Sequence, residues 1–147
     1  PNGRRECQAN GFYQSAYFTS REPGEILTAI SIPVPPEGNG AAYEKLKRKV
    51  GDYATAAAGV MLTMSGGTVA TCRIGLTNLG DTPLLAEDAA NAVIGTSLDA
   101  ASLDAAARAA EAIMEPAADS RGPVEYRKHV GGIMVKRALA RAAERAR

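Results

Sequence analysis

Residues 43–62 read YEKLKRKVGDYATAAAGVML, and this stretch decides how the chain folds. Successive side chains of a strand point to opposite sides, so a strand here would present one polar face. That face would carry Tyr43, Lys45, Lys47 and Lys49, and the other would carry Leu46, Arg48 and Val50. Gly51-Asp52-Tyr53 then indicates a turn, and the small apolar residues of Ala54–Leu62 are typical of a buried strand. The stretch therefore predicts a strand, a turn and a second strand.

The flanking sequence extends this pattern into a sheet. The segments ATAAAGVMLTM and TVATCRIGLTNL are separated by Ser65-Gly66-Gly67, which is a hairpin signal. We therefore expect a three-stranded antiparallel meander. Residues 25–34, EILTAISIPV, alternate apolar and polar side chains and predict a further half-buried strand, which the prolines at its end would terminate.

The second half of the chain is rich in alanine, leucine and charged residues at helical spacing. Asp81 before Pro83 is a cap signal, and Gly95 suits a left-handed C-terminal cap. The helices are expected over about Pro83–Ile94, Asp99–Met114 and Gly122–Arg145. The paired glycines at 131 and 132 predict that a neighbouring backbone approaches the third helix closely. The fold class is therefore α+β: a three-stranded antiparallel sheet packed with a three-helix bundle.

Composition narrows the function classes. The chain has 147 residues, enough for one domain, and its 17 basic and 16 acidic residues give a net charge of +1. Such a balance provides no global field for nucleic acid, so we expect no nucleic-acid partner. Its longest apolar run, about Ala54–Leu62, falls well short of the roughly 20 residues of a membrane helix, so no integral membrane segment is expected.

The cysteines and the single histidine offer little chemistry. Cys7 and Cys72 form no C-x-x-C pair and lie far from His129, which disfavours zinc or iron-sulfur ligation in this chain. We expect both cysteines to be small apolar fillers in a reduced, cytosolic protein. His129 has no partner carboxylate nearby in sequence and is expected to be structural rather than a general base.

The basic cluster at Lys45–Lys49 has two interpretations from the residues alone. It can be a solvated strand face without any function. Alternatively, because a turn with a carboxylate and an aromatic ring follows it, the loop could set a lysine on a phosphate and a flat ring against a planar cofactor. Composition and spacing leave both interpretations open.

Four motifs together resemble a known family. EPGEIL, AYEKLKRKVGDYATAAA, CRIGLTNLGDTPL and DSRGPVEYRKHVGGIMVKRAL are similar to the C-terminal half of the FAD-binding medium subunit of molybdenum hydroxylases. Within that family the nearest likeness is to the aerobic carbon monoxide dehydrogenases. The resemblance covers roughly Gly11 to Arg145. It implies that residues 1–36 are the end of the second FAD-binding subdomain with a connecting strand, and that residues 37–147 are the C-terminal domain.

The resemblance also implies the cofactors and partners. FAD would be held mainly by glycine-rich segments of a preceding half with no counterpart here, so this chain alone should retain FAD poorly and be inactive. A large subunit would carry a molybdenum cofactor, and a small subunit would carry two 2Fe-2S clusters. Electrons would pass from those clusters through FAD to an external acceptor. The expected location is cytoplasmic, with peripheral attachment to the inner membrane through the assembled complex as an option.

The resemblance further implies a set of cofactor-binding residues. Leu27 would approach the flavin, Lys45 would reach its polar edge or ribityl region, and Tyr53 would cover one face of the ring. Asp52 would lie beside the same site. No catalytic residue and no metal ligand is expected in this chain. Three further residues match the family and are expected to serve helix capping and packing: Arg121, Tyr126 and Arg127. The alternative is a non-catalytic subunit-interaction domain without a direct flavin role.

Overall fold

The structure is a computed structural model and describes residues 3–146. The strands are β1 (Tyr13–Ser15), β2 (Phe18–Thr19), β3 (Asn39–Leu46), β4 (Ala56–Ser65), β5 (Thr68–Thr77) and β6 (Leu84–Leu85). The helices are α1 (Glu87–Asn91), α2 (Ala100–Ala112) and α3 (Val124–Arg145). The α+β fold class is confirmed.

The main sheet is antiparallel, with strands in the order β3-β4-β5-β6. Its first three strands form the predicted meander, in which Tyr43 pairs with Gly59 and Gly59 with Gly75. Gly66 and Gly67 join β4 to β5 with φ of 58° and 80°, the left-handed pair that a tight hairpin requires. The sheet has four strands rather than three, because the two residues of β6 pair with the edge of β5.

The core lies between one face of this sheet and the helices. Alternate residues of β4 point into it: Ala56, Ala58, Val60 and Leu62. The helix α3 crosses β3 closely, and a Cβ added at Gly40 would overlap the carbonyl oxygen of Ala142. Only glycine permits this contact, so Gly40 sets the distance between sheet and helix.

The helix predictions are largely confirmed. Both α2 and α3 begin and end within about two residues of the expected positions. The paired glycines do allow close approach, but the neighbours are side chains rather than backbone: a Cβ at Gly131 would lie 2.6 Å from Met114 Sδ, and one at Gly132 would overlap the Glu111 carboxylate. Helix α2 and the residues after it thereby pack tightly on α3.

The first helix is shorter than predicted. It spans Glu87–Asn91 instead of Pro83–Ile94, because Leu84 and Leu85 extend along β5 as β6. Asp81 therefore caps no helix; the N-cap is Ala86, which has no capping side chain. Gly95 does adopt a left-handed φ of 81°, and its N–H donates to the Val69 carbonyl.

Residues 3–36 form an arm. One strand prediction in this arm is wrong, and so is the predicted end of β3. No strand forms between residues 25 and 34, where Ile30 and Ile32 are 77% and 78% exposed. An alternating segment becomes a strand only beside a partner strand, and residues 3–146 offer it none. The strand predicted to reach Val50 ends at Leu46, because the chain turns toward β4.

One arginine organises the arm. Arg5 donates to the Glu25 carboxylate at 2.6 Å and to the Ser20 carbonyl at 2.6 Å. The hydrogen bond from Arg5 lowers the pKa of Glu25 to about 2. Cys7 is exposed beside Arg5, so its expected role as an apolar filler is wrong. Cys72 is buried as expected, and burial raises the pKa of its thiol to about 11.

Candidate functional site

An open cavity of about 530 Å³ lies at the end of the sheet where β3 and β5 end. It is bounded by the outer face of β3, by the β3–β4 turn and by the segment after β5. Its lining includes Tyr43, Lys45, Asp52, Tyr53, Asn78 and Asp81. The cavity therefore brings together residues that are separated by more than twenty-five positions in the sequence.

The outer sheet face forms one wall of the cavity. Tyr43 and Lys45 point away from the core because their neighbour Ala42 points into it. Across the strand pair, Tyr43 faces Gly59 and Lys45 faces Ala57. These small partners leave the outer face flat beside the two long side chains. None of the ion pairs within residues 3–146 involves Lys45, so its ammonium group is available to a ligand.

The β3–β4 turn forms a second wall. The turn is closed by the Thr55 N–H, which donates to the Leu46 carbonyl at 2.8 Å. Gly51 adopts a left-handed φ of 80°, which redirects the chain so that Asp52 and Tyr53 follow at the cavity. The Tyr53 side chain is 78% exposed. A flat aromatic ring is thus presented to solvent on a fixed turn.

Asp52 is held by two arginines. Its carboxylate accepts from Arg48 Nε at 3.3 Å and lies 3.6 Å from Arg121 Nη2. Desolvation raises the pKa of this carboxyl, but the hydrogen bond and charge of Arg48, the charge of Arg121 and the Tyr53 N–H outweigh it. The pKa of Asp52 therefore lies below its ordinary value, and Asp52 is a carboxylate at neutral pH.

The loop between α2 and α3 meets this turn. Asp119 accepts from the Arg121 N–H at 2.7 Å and from its guanidinium at 2.6 Å. The backbone hydrogen bond from Arg121 is the main reason why the pKa of Asp119 is lowered, and the charges of Arg127 and Arg121 add to it. The Arg121 Cζ lies 5.7 Å from the centre of the Tyr53 ring. This places the guanidinium within the range of a cation–π contact.

The resemblance assigns Arg127 to helix capping and packing, but the sequence did not predict its hydrogen bonds to buried backbone carbonyls. It is 2% exposed and donates to three backbone carbonyls, those of Thr55, Asn78 and Ala117. Asn78 itself, with a φ of 58°, donates to the Ala54 carbonyl. A signal existed in the sequence, because Arg127 lies three residues before Val130 and seven before Met134, on the apolar face of α3. An arginine on the apolar face of a helix indicates that hydrogen-bond acceptors for its guanidinium are buried nearby.

The predicted site residues fall into two places. Lys45, Asp52 and Tyr53 line one cavity. Leu27 lies in the arm, is 59% exposed and is not among the residues that line the cavity. The expected helix capping is wrong, because the N-cap of α3 is Pro123 and it makes no side-chain cap hydrogen bond. Arg121 and Arg127 serve packing and loop structure, and the Tyr126 ring lies against Gly122 while the residue stays 45% exposed.

Two further kinds of functional feature are absent from residues 3–146. No group of three or more His, Cys, Asp or Glu side chains there could hold a metal ion. No helix in that part of the chain combines the length and apolar character needed to cross a membrane. His129 is exposed on α3.

Comparison with known proteins gives the class of domain. Residues 41–142 match the family model of the CO dehydrogenase flavoprotein C-terminal domain. This range contains most of β3 and α3, the whole of β4 to β6, α1 and α2, and every residue that lines the cavity. The chain belongs to this family of flavoprotein domains, as its sequence motifs indicated.

The individual relatives agree. The chain is 60% identical, over its whole length, to the carbon monoxide dehydrogenase medium chain of Afipia carboxidovorans, of which it covers 51%. It is 46% identical over 95% of its length to that of Hydrogenophaga pseudoflava, of which it covers 48%. The structure matches that of reconstituted CO dehydrogenase from Oligotropha carboxidovorans with a TM-score of 0.97 and 60% identity, covering 99% of this chain and 51% of that one. The chain thus spans about half the length of the curated relatives that it matches.

Proposed function

We propose that this chain is the C-terminal portion of an FAD-containing electron-transfer subunit of a molybdenum hydroxylase of the carbon monoxide dehydrogenase type. In this role it helps to hold the flavin that passes electrons from iron-sulfur clusters to an external acceptor. Support comes from its family and from relatives named as carbon monoxide dehydrogenase medium chains. The observation that carries the proposal is the cavity where Lys45 and Tyr53 stand beside a flat sheet face.

The cavity fits the ring end of FAD rather than its diphosphate. The exposed Tyr53 ring offers a flat apolar surface, and Lys45 offers a cation for a polar ring edge. Diphosphates are commonly bound by backbone N–H groups at a helix start, and among the described lining residues none belongs to α1, α2 or α3. The flavin, when bound, would supply the redox chemistry. This chain would supply orientation and charge.

Each cavity residue then has a role. The Tyr53 ring covers one face of the flavin and limits the approach of solvent and of other molecules. The Lys45 ammonium stabilises negative charge at the polar edge of the ring. Asp52 anchors the turn through its arginine pairs rather than contacting the flavin as an acid.

We propose the same division of the chain that its sequence suggested, with residues 1–36 belonging to the end of an FAD-binding subdomain and residues 37–147 forming the C-terminal domain. The exposed apolar side chains of the arm support this division, since they would be covered by a preceding half of the subunit. Leu27 would approach the flavin from that side. Because the diphosphate would be held by the preceding half, this chain alone would bind FAD poorly.

The proposed partners are a large subunit with a molybdenum cofactor and a small subunit with two 2Fe-2S clusters. A cytoplasmic complex, peripheral to the inner membrane at most, is the corresponding location. These proposals follow the carbon monoxide dehydrogenase relatives.

A second candidate is a subunit-interaction domain with no direct flavin role. A smaller cavity of about 220 Å³ near α1 and α2 favours it, because partly exposed Leu85 and Ile113 lie there beside Glu87 and Asp88. Such a mixture is typical of a protein interface. Substitutions in this second cavity that release the partner subunits while leaving the flavin spectrum unchanged would favour the interaction role.

The test uses the full-length subunit loaded with FAD. Tyr53→Ala should increase flavin fluorescence and alter the kinetics of the external acceptor, whereas Tyr53→Phe, which keeps the ring, should retain the original spectrum. Lys45→Gln should make reduction of the flavin less favourable, because the cation that stabilises negative charge on the ring is lost. Lys47→Gln, which removes the same charge two residues away, should not. Flavin properties unchanged in both Tyr53→Ala and Lys45→Gln would refute the flavin role.

A further inference from the structure

The loop between α2 and α3 contacts the Tyr53 turn from a distant part of the sequence. Arg48 Nη1 donates to the Ser120 carbonyl at 3.0 Å, and Arg121 Nη2 lies 3.6 Å from the Asp52 carboxylate. The Arg121 guanidinium also lies 5.7 Å from the centre of the Tyr53 ring. The hydrogen bond of Arg48 and the ion pair of Arg121 join the loop to the turn. The third contact, from Arg121, is to the ring that is proposed to cover the flavin.

The guanidinium of Arg121 is itself held in place. Asp119 receives both the backbone N–H and a side-chain N–H of Arg121, and Asp119 and Gly122 form a small antiparallel bridge. The Arg121 side chain is only 18% exposed. A planar guanidinium can serve one carboxylate with one edge, a second carboxylate with another, and an aromatic ring with its face. Arg121 has all three kinds of partner, in Asp119, Asp52 and Tyr53.

The base of this loop is tied to the core. Arg127 donates to the Ala117 carbonyl at 2.6 Å and lies 3.6 Å from the Asp119 carboxylate. The same side chain holds the Thr55 carbonyl, at the end of the Tyr53 turn. Loop and turn are therefore fastened to one buried cation, so Arg121 acts from a rigid support.

We propose that Arg121 is a positioning residue that sets the orientation of the Tyr53 ring over the flavin, and so sets how closely an external acceptor can approach it. The inference rests on the proposed function. Arg121 acts through Tyr53 and touches neither flavin nor acceptor. A residue that merely stabilised the loop would lower stability on removal without changing the flavin environment through Tyr53.

The first measurement tests the link between loop and turn without using the flavin. In the full-length subunit, Arg121→Gln should accelerate hydrogen exchange at the Asp52 and Thr55 amides about fivefold, because the loop loses its ion pair with the Asp52 carboxylate. Arg108→Gln is the control, because Arg108 is an exposed arginine on α2. Equal exchange in the two variants overturns the proposal.

The second measurement tests the effect on the flavin. Arg121→Gln should raise flavin fluorescence in the same direction as Tyr53→Ala, and it should add nothing in the Tyr53→Ala background. If Arg121→Gln does not fold, Arg121→Lys serves instead, because it keeps the charge but loses the planar fork.

The outcomes separate the inference from the proposed function. A change in Tyr53→Ala without a change in the Arg121 variant overturns the inference alone, and so does an equal increase in both backgrounds. Unchanged emission in Tyr53→Ala contradicts the flavin role of Tyr53 and overturns the inference together with it.

Discussion

The body of the molecule, residues 37–146, buries many of its apolar side chains, whereas its arm, residues 3–36, exposes most of them. In the body, alternate residues of β4 and β5 are almost fully buried beneath the helices. In the arm, the apolar side chains Ile26, Ile30, Ile32 and Val34 are 77% to 91% exposed. The hydrogen bonds and ion pairs of the arm lie within itself, apart from the one that Asn39 donates to Pro36.

The difference shows that periodicity alone does not produce a strand. Both regions contain alternating apolar residues, but only those of the body have partner strands and a covering helix among the described residues. An exposed row of isoleucines is typical of a surface that another protein segment covers. The comparison thus separates a part that completes its own core from a part that we propose is completed by a preceding half of the subunit.

The largest expected effect is a difference in stability loss between a substitution in the body and one in the arm. Leu62→Ala removes a fully buried side chain and should lower the free energy of unfolding by roughly 3 to 5 kcal/mol. Ile30→Ala in the arm should change it by less than about 0.5 kcal/mol in this chain. Urea denaturation of both variants checks the pair. A similar loss in Ile30→Ala would mean that the arm packs on the body.

The next effect concerns the buried cation beneath the site. Arg127→Met would leave the carbonyls of Thr55, Asn78 and Ala117 without their donor, and it should cost about 3 kcal/mol. Arg108→Met, at an exposed position of α2, should be close to neutral. Urea denaturation measures both. Equal stabilities would show that water replaces the arginine and that the loop does not depend on it.

The sequence predicted most of the body because its signals are local. Helix α2 begins next to Asp99 as expected, and the Asp99 side chain caps it by accepting from the Ser102 N–H at 2.8 Å. The paired glycines Gly66 and Gly67 do form the β4–β5 turn. The errors arose where a partner decided the outcome. Leu84 and Leu85 paired with β5 rather than joining a helix, and residues 25–34 have no partner strand within residues 3–146.

The candidate site was only partly predictable, for a related reason. The resemblance pointed to Lys45, Asp52 and Tyr53, and the structure gathers these three around one cavity. Their role toward FAD stays a prediction. The support from Arg121 and Arg127 depends on contacts some seventy residues apart in sequence, which spacing alone does not reveal.

A moderate effect is expected where α3 meets the sheet. Gly40→Ala places a methyl group on the Ala142 carbonyl and should cost about 2 kcal/mol, because the helix must shift. Gly75→Ala, in β5 of the same sheet, is a matched control, since its added methyl meets no atom within 4 Å. Thermal unfolding of the two variants tests the contact. If both are equally stable, the helix does not rest on Gly40.

The smallest effect is the pH dependence of the loop and turn. Asp52 and Asp119 have pKa values below their unfolded values, so their contribution to stability is present above the unfolded pKa and is lost as pH falls through the folded one. Stability should therefore decrease between about pH 5 and pH 2, and Asp52→Asn should flatten part of that decrease. Urea midpoints across this range measure it. An unchanged slope in Asp52→Asn would mean that its arginine pairs contribute nothing.

The most direct test of the flavin site is hydrogen exchange of the full-length subunit with and without FAD. We predict that FAD slows exchange in residues 43–54, around the cavity, and leaves the Gly66–Gly67 turn at the far end of the same strands unchanged. Equal exchange at residues 43–54 in the two states would contradict the account and leave this domain without a direct contact to the flavin.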